Sequence, residues 1–154
     1  MFHWIIAVLP HSKKEMVDMV TVIMGLKGSG KTKHLIDLVN AAVDEESGLV
    51  ALIEKGSKLT YDIHHGARLV DASAYGVQGN EMLRGFIAGL QAGNYDINHI
   101  FIDSLYKVSG VDDIRETEAL LSWMDEFGRL NDVKFTVTIS ADAATATEKI
   151  RKYF

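Results

Sequence analysis

The chain has no cysteine and only one proline, Pro10. Without thiols there can be no disulfide framework, no thiolate metal centre and no thiol redox chemistry, and such usage suits a reducing compartment, so a cytoplasmic setting is expected. A long apolar run is also missing. The amino-terminal "MFHWIIAVLP" holds about eight apolar residues, too few to span a bilayer, and it lacks the basic lead and small-residue cleavage site of a secretory leader. No membrane partner is expected, and residues 1–18 read either as an extra edge strand or as an extension peripheral to the fold. Met16 and Met19 both stand close enough to the next apolar run to begin a shorter chain. Lys and Arg number 16 against 21 acidic residues, for a formal charge of −5, and they form no long run. A nucleic-acid surface needs a concentrated positive field, so none is indicated beyond a local patch.

What the chain does have is apolar content of 47% over 154 residues, enough for one domain with a real core, placed at residues 19–154. Past Asp18, two kinds of segment alternate. "VTVIM" (Val20 to Met24) is a short β-branched run of the sort buried on both faces of a sheet, and "LVALIE", "ARLVDA", "HIFID" and "KFTVTIS" read the same way. Between them lie helical patterns. "KTKHLIDLVNAAVDEE" sets Leu35, Leu38, Val39 and Ala42 on one stripe, and "NEMLRGFIAGLQAG" puts Met82, Phe86, Ile87 and Leu90 on its expected inner side. "DDIRETEALLSWMDEFGRL" predicts a long helix and "AATATEKIRKYF" a terminal one. Strands alternating with helices predict an α/β fold with a mostly parallel sheet covered by helices on both faces.

The stretch "GLKGSGKTKH" falls where the first strand pattern gives way to the first helix pattern. Gly25, Gly30, Lys31 and Thr32 satisfy G-x-x-x-x-G-K-[ST] in the strand–loop–helix setting that this phosphate-binding motif requires. Average residue frequencies give a chance match in roughly one chain of this length in two hundred, before that setting is demanded. The residue types suit the chemistry. Glycines let backbone N–H groups turn inward around a phosphate, and the positive end of the following helix favours an anion. The nucleotide-binding segment is thus Gly25, Leu26, Lys27, Gly28, Ser29, Gly30, Lys31, Thr32 and Lys33, with Lys31 reaching the β and γ phosphates and Thr32 offering its hydroxyl to Mg²⁺. Lys27 and Lys33 read equally well as solvated charges or as phosphate neighbours.

"HIFIDS" supplies a second element of such a site. Asp103 ends an apolar strand at the edge where a parallel sheet gathers its ligands, and its carboxylate can serve a Mg²⁺ ion together with Thr32.

With these two loops the chain resembles the P-loop NTPases over about residues 20–140, and "IFIDSLYKV" is similar to the Walker B segment of RecA-like and KaiC-like ATPases. The resemblance implies a three-layer P-loop fold, with ATP and Mg²⁺ as cofactors. It makes Glu54, which ends "LVALIE", the counterpart of the glutamate that orients the attacking water, a catalytic residue beside Lys31. It makes Ser140, ending "TVTIS", the counterpart of a γ-phosphate sensor. Three activities fit: ATP hydrolysis of RecA-like type, phosphoryl transfer to a small molecule, or a nucleotide-dependent binding module with negligible hydrolysis. A protein partner or self-association is compatible with each. The departures from the family are informative. The chain is short and acidic for a recombinase. Ser104 follows Asp103 where thymidine-kinase-like proteins have glutamate, and Lys27 does not match the extra lysine of MinD-like loops. No guanine-reading motif appears, which favours ATP.

Two further features have plainer readings. Adjacent His64 and His65 on an extended segment would point to opposite sides and make poor joint metal ligands, so a loop or surface role is expected of them, and Trp123 and Phe127, four residues apart on a helix, fit core packing.

Overall fold

The computed structural model describes residues 18–154, so the amino-terminal extension, apart from Asp18, lies outside the described residues. In chain order the elements are β1 (Val20–Gly25), α1 (Lys31–Glu45), β2 (Leu49–Glu54), β3 (Ala67–Asp71), α2 (Asn80–Gly93), β4 (Ile97–Ile102), α3 (Leu105–Ser109), α4 (Ile114–Asn131), β5 (Lys134–Ser140) and α5 (Glu148–Arg151). Short 3₁₀ turns occupy Ala72–Tyr75 and Ala143–Thr145. The strands make one sheet in the order β1-β5-β4-β2-β3, with every pairing parallel.

A parallel sheet needs cover on both faces, because each strand sends successive side chains to opposite sides. The core divides accordingly. Val50, Leu52 and Phe101 pack with Leu35, Val39 and Ala42 of α1 on one face. Ala51, Ile53, Ile100 and Ile102 pack with Leu83 and Ile87 of α2 and with Leu120, Leu121 and Met124 of α4 on the other. The result is the α/β sheet with helices on both faces expected from the alternation of patterns. Trp123 and Phe127 stack at 4.9 Å and pack against this core, with Phe127 edge-on to Phe135, in keeping with the packing expectation. No helix among the described residues is long and apolar enough to cross a membrane.

Two expectations need correction. On α2 the buried stripe runs through Leu83, Ile87 and Gln91, while Met82 is 46% exposed and Phe86 and Leu90 are only partly covered. The inner face is centred one residue later than the apolar pattern suggested, and Gln91 takes a buried place on it by donating to the Ile97 carbonyl. The carboxyl-terminal segment is not one helix. Asp142 caps a single 3₁₀ turn by accepting from the Ala144 amide, Ala146 and Thr147 are extended, and only Glu148–Arg151 is helical. The chain end is instead anchored to β1, where the Val22 amide donates to the Tyr153 carbonyl at 2.8 Å.

Strand order decides which carboxyl ends meet. β5, last in sequence, lies between β1 and β4, with Gly25 opposite Ser140 and Ile102 opposite Val137. β2 then pairs with β4 through Ile53 and Ile102. Gly25, Ser140, Asp103 and Glu54 therefore line up along one edge of the sheet.

Candidate functional site

The loop from Gly25 to Gly30 leaves β1 and enters α1 through backbone that most residues avoid. Gly28 and Gly30 have φ of +86° and +88°, a left-handed conformation costing about 1–2 kcal/mol for a residue with a Cβ. A Cβ on Gly25 would come within 2.8 Å of the Ser29 hydroxyl, so a larger residue there would make the Ser29 side chain turn aside. The Lys31 ammonium donates to the Leu26 carbonyl at 2.9 Å and to Ser29 Oγ at 3.4 Å, which centres it over the loop. The first intrahelical bond of α1 is from the His34 amide to the Gly30 carbonyl, and no side chain caps the helix. The amides of Lys31, Thr32 and Lys33 at this positive end are therefore available to an anion.

Asp103 stands just past β4, with its amide donating to the Ile53 carbonyl at 3.0 Å. Its carboxylate accepts a hydrogen bond from Thr138 Oγ1 at 2.9 Å and longer ones from Thr32 Oγ1 at 3.3 and 3.4 Å. Thr138 in turn accepts from the Ser104 amide at 2.7 Å. Ser104 holds φ of +58°, rare for a residue with a side chain, and this bend turns the chain directly into α3. Thr138 is thus the strut that orients both the carboxylate and the bend. Motif reading did not single it out, although the polar alternation Thr136, Thr138, Ser140 within an apolar strand was the available signal.

Glu54, 5% exposed at the end of β2, accepts from the Leu59 amide at 3.3 Å. Burial, joined by the charges of Asp103 and Asp71, pushes its carboxyl above the usual range against the pull of that amide. Between the two residues the chain turns at Gly56, with φ of +102°, whose amide donates to Asp71 Oδ1 at 2.7 Å. Bonds from the Ser73 hydroxyl and the Gly56 amide hold the Asp71 carboxyl below its ordinary range.

These parts line two adjoining hollows. One, of about 350 Å³, is bounded by the glycine loop, Lys27, Lys31, Thr32, Lys33, Ser104, Lys107 and Ser140. The other, of about 210 Å³, is bounded by Thr32, Glu54, Lys55, Lys58, Asp103 and Lys107, among others. Thr32, Ser104 and Lys107 belong to both. Of the predicted site residues, Lys31, Thr32, Asp103, Glu54 and Ser140 thus border one cleft, whereas Leu26 is exposed and contributes its carbonyl. Lys55, Lys58 and Lys107 were not anticipated.

Among the described residues, those of this cleft included, no group of three or more His, Asp or Glu side chains is arranged to hold a metal ion. His64 and His65 lie exposed in a loop, in keeping with the loop or surface role expected of them, although their rings stack at 4.4 Å rather than pointing apart, with the Gly66 amide donating to His64 Nδ1. No protein-family model matches the chain, and no curated protein matches its sequence.

Proposed function

We propose that this chain is a Mg²⁺-dependent ATPase built on a P-loop nucleotide-binding domain of RecA-like type. One observation carries the reading: Lys31 at the centre of a glycine loop, the Thr32 hydroxyl and the Asp103 carboxylate, drawn from segments 71 residues apart, converge on one cleft at the carboxyl edge of a parallel sheet. Phosphate binding to the loop would use the free amides at the start of α1 and the Lys31 ammonium. Thr32 and Asp103 fit a Mg²⁺ site, since this hard cation takes few protein oxygens and keeps waters and phosphate oxygens for the rest. When bound, Mg²⁺ would neutralise charge on the β and γ phosphates. Lys31 adds fixed positive charge where the leaving oxygens gain negative charge. Glu54, buried beside Thr32, orients a water and accepts its proton. Ser140, exposed at the end of β5 and lining the glycine-loop hollow, would contact the γ phosphate. The lack of cysteine supports a cytoplasmic setting.

Phosphate release measured alongside calorimetric titration of ATP, GTP and dTTP tests this. The expected result is Mg²⁺-dependent turnover that falls by about 10²–10³ in Lys31→Ala and about 10² in Glu54→Gln, with nucleotide affinity kept in the second. Unchanged rates in both variants would remove the mechanism.

A further inference from the structure

The hollow beside Glu54, at about 210 Å³, is far larger than a seat for one attacking water, for which roughly 10–15 Å³ by the same kind of measure is enough. Its rim carries three ammonium groups, those of Lys55, Lys58 and Lys107. None of the three forms an ion pair among the described residues, whereas Lys134 and Arg129 elsewhere do.

The backbone that presents them is held in place. The turn carrying Lys55 and Lys58 is pinned at Gly56 by Asp71 and at Leu59 by Glu54. Lys107 rides on α3, whose entry is set by the Ser104 bend and its bond to Thr138. With Lys27, Lys31 and Lys33 across the shared wall, six lysines surround the cleft of a chain with net charge −5, against the two carboxylates of Glu54 and Asp103, so positive charge is in excess there. Like charges gathered round a hollow repel one another, and a bound anion relieves that repulsion. The residue type narrows the anion. No arginine lines either hollow, so the flat fork that matches carboxylates is missing, while lysine serves phosphate oxygens as a mobile point charge.

We infer that Lys55, Lys58 and Lys107 form a subsite for a second phosphate group, next to the triphosphate site and opening onto it past Thr32 and Ser104. The inference rests on the nucleotide reading only for what occupies the neighbouring hollow. The phosphate is either the one released by hydrolysis or one carried by a second small substrate.

The test is a titration of inorganic phosphate into the full chain saturated with a non-hydrolysable ATP analogue, followed by calorimetry. The Lys55→Gln/Lys58→Gln variant is expected to bind phosphate about tenfold more weakly, with nucleotide affinity and melting temperature unchanged and with recovery in Lys55→Arg/Lys58→Arg. Phosphate affinity equal in wild type and in the Gln variant overturns the subsite. The same titration of Lys31→Ala without nucleotide separates the two readings. If wild type binds no nucleotide yet Lys31→Ala loses phosphate on adding the two Gln changes, the ATPase reading falls and the subsite stands. A glycerol phosphate arm identifies the source: tighter binding than inorganic phosphate marks a second substrate, and equal or weaker binding marks the released product.

Discussion

At the amino ends of β4 and β5, His99 stacks on Phe101 at 4.0 Å, bonds Thr136 through Nε2 at 2.8 Å and meets Glu46 through Nδ1 at 3.0 Å, and Lys134 closes on the same carboxylate at 3.0 Å. At the carboxyl ends of the same two strands, Asp103, held by Thr138, lines a hollow with Glu54 and lysines with which it forms no ion pair among the described residues. The first cluster satisfies itself. Burial alone would raise the Glu46 carboxyl, but hydrogen bonds and charge from His99 and Lys134 outweigh it and hold it below the ordinary range. The second cluster is left open. Glu54 is held above the ordinary range by burial and by the charges of Asp103 and Asp71, against the pull of backbone amides. Ionic groups that stabilise a fold close on one another, while groups kept for a ligand keep unspent valence and lie where perturbed titration is common.

The two clusters must therefore fail in different measurements. The largest effect is expected at the open one: Asp103→Ala should lower ATP turnover by about 10²–10³ while shifting the melting temperature by only a few degrees. Next comes Glu46→Ala at the closed one. It leaves a buried imidazole and a lysine without their shared carboxylate and should cost on the order of 2 kcal/mol, roughly 4–8 °C, with turnover per folded molecule unchanged. A large rate loss in Glu46→Ala, measured at a temperature where it is fully folded, would erase the distinction.

Much of the open cluster was legible in the amino-acid sequence because its parts are local. Gly25 to Thr32 form a contiguous motif, and Asp103 and Glu54 each end a β-branched run, so their positions at strand ends follow from the chain alone. The partnerships were not legible, since they depend on strand order. Nothing in "TVTIS" says that β5 inserts between β1 and β4, and only that insertion puts Thr138 on Asp103, 35 residues away. Lys107 was hidden for a similar reason: the Ser104 bend, which starts a five-residue helix, decides where it points. The broken carboxyl-terminal helix shows the converse. Asp142 and Thr145 take backbone groups with their side chains, Asp142 accepting from the Ala144 amide and Thr145 donating to the Asp142 carbonyl, and a helical pattern of apolar residues does not register that competition.

A smaller effect isolates the strut. Thr138→Val keeps the shape but leaves the Ser104 amide and Asp103 without their shared hydroxyl, so turnover should fall about tenfold with nucleotide affinity changed less than about threefold. Thr138→Ser should restore most of the rate, because it returns the oxygen. A structural role confined to packing would be served as well by valine as by serine, and the order of the two variants decides between them.

The smallest effect, and the one that sets the two clusters against each other most directly, is the sign of stability against pH. Glu54 binds its proton more tightly folded than unfolded, so between the ordinary glutamate value near 4.3 and its raised folded value the native state holds the extra proton, and stability falls as pH rises through that window. Glu46 is the reverse: its contribution is complete above the ordinary value and is lost as pH falls through its depressed folded value. His99, whose imidazole is lowered by burial against the pull of Glu46, adds to the same side, since the unfolded chain takes up its proton first as pH drops below about 6.5. Melting curves from pH 4 to pH 8 should therefore place Glu54→Gln above wild type at pH 8 by on the order of 1 kcal/mol, or about 2–4 °C, with the gap closing toward pH 4. Glu46→Gln should lie below wild type at pH 8, with that gap narrowing only as the medium becomes acidic. A Glu54→Gln curve running parallel to wild type over the whole range would mean that the buried carboxyl is as comfortable ionised as exposed, and the open cluster would lose the feature that separates it from the closed one.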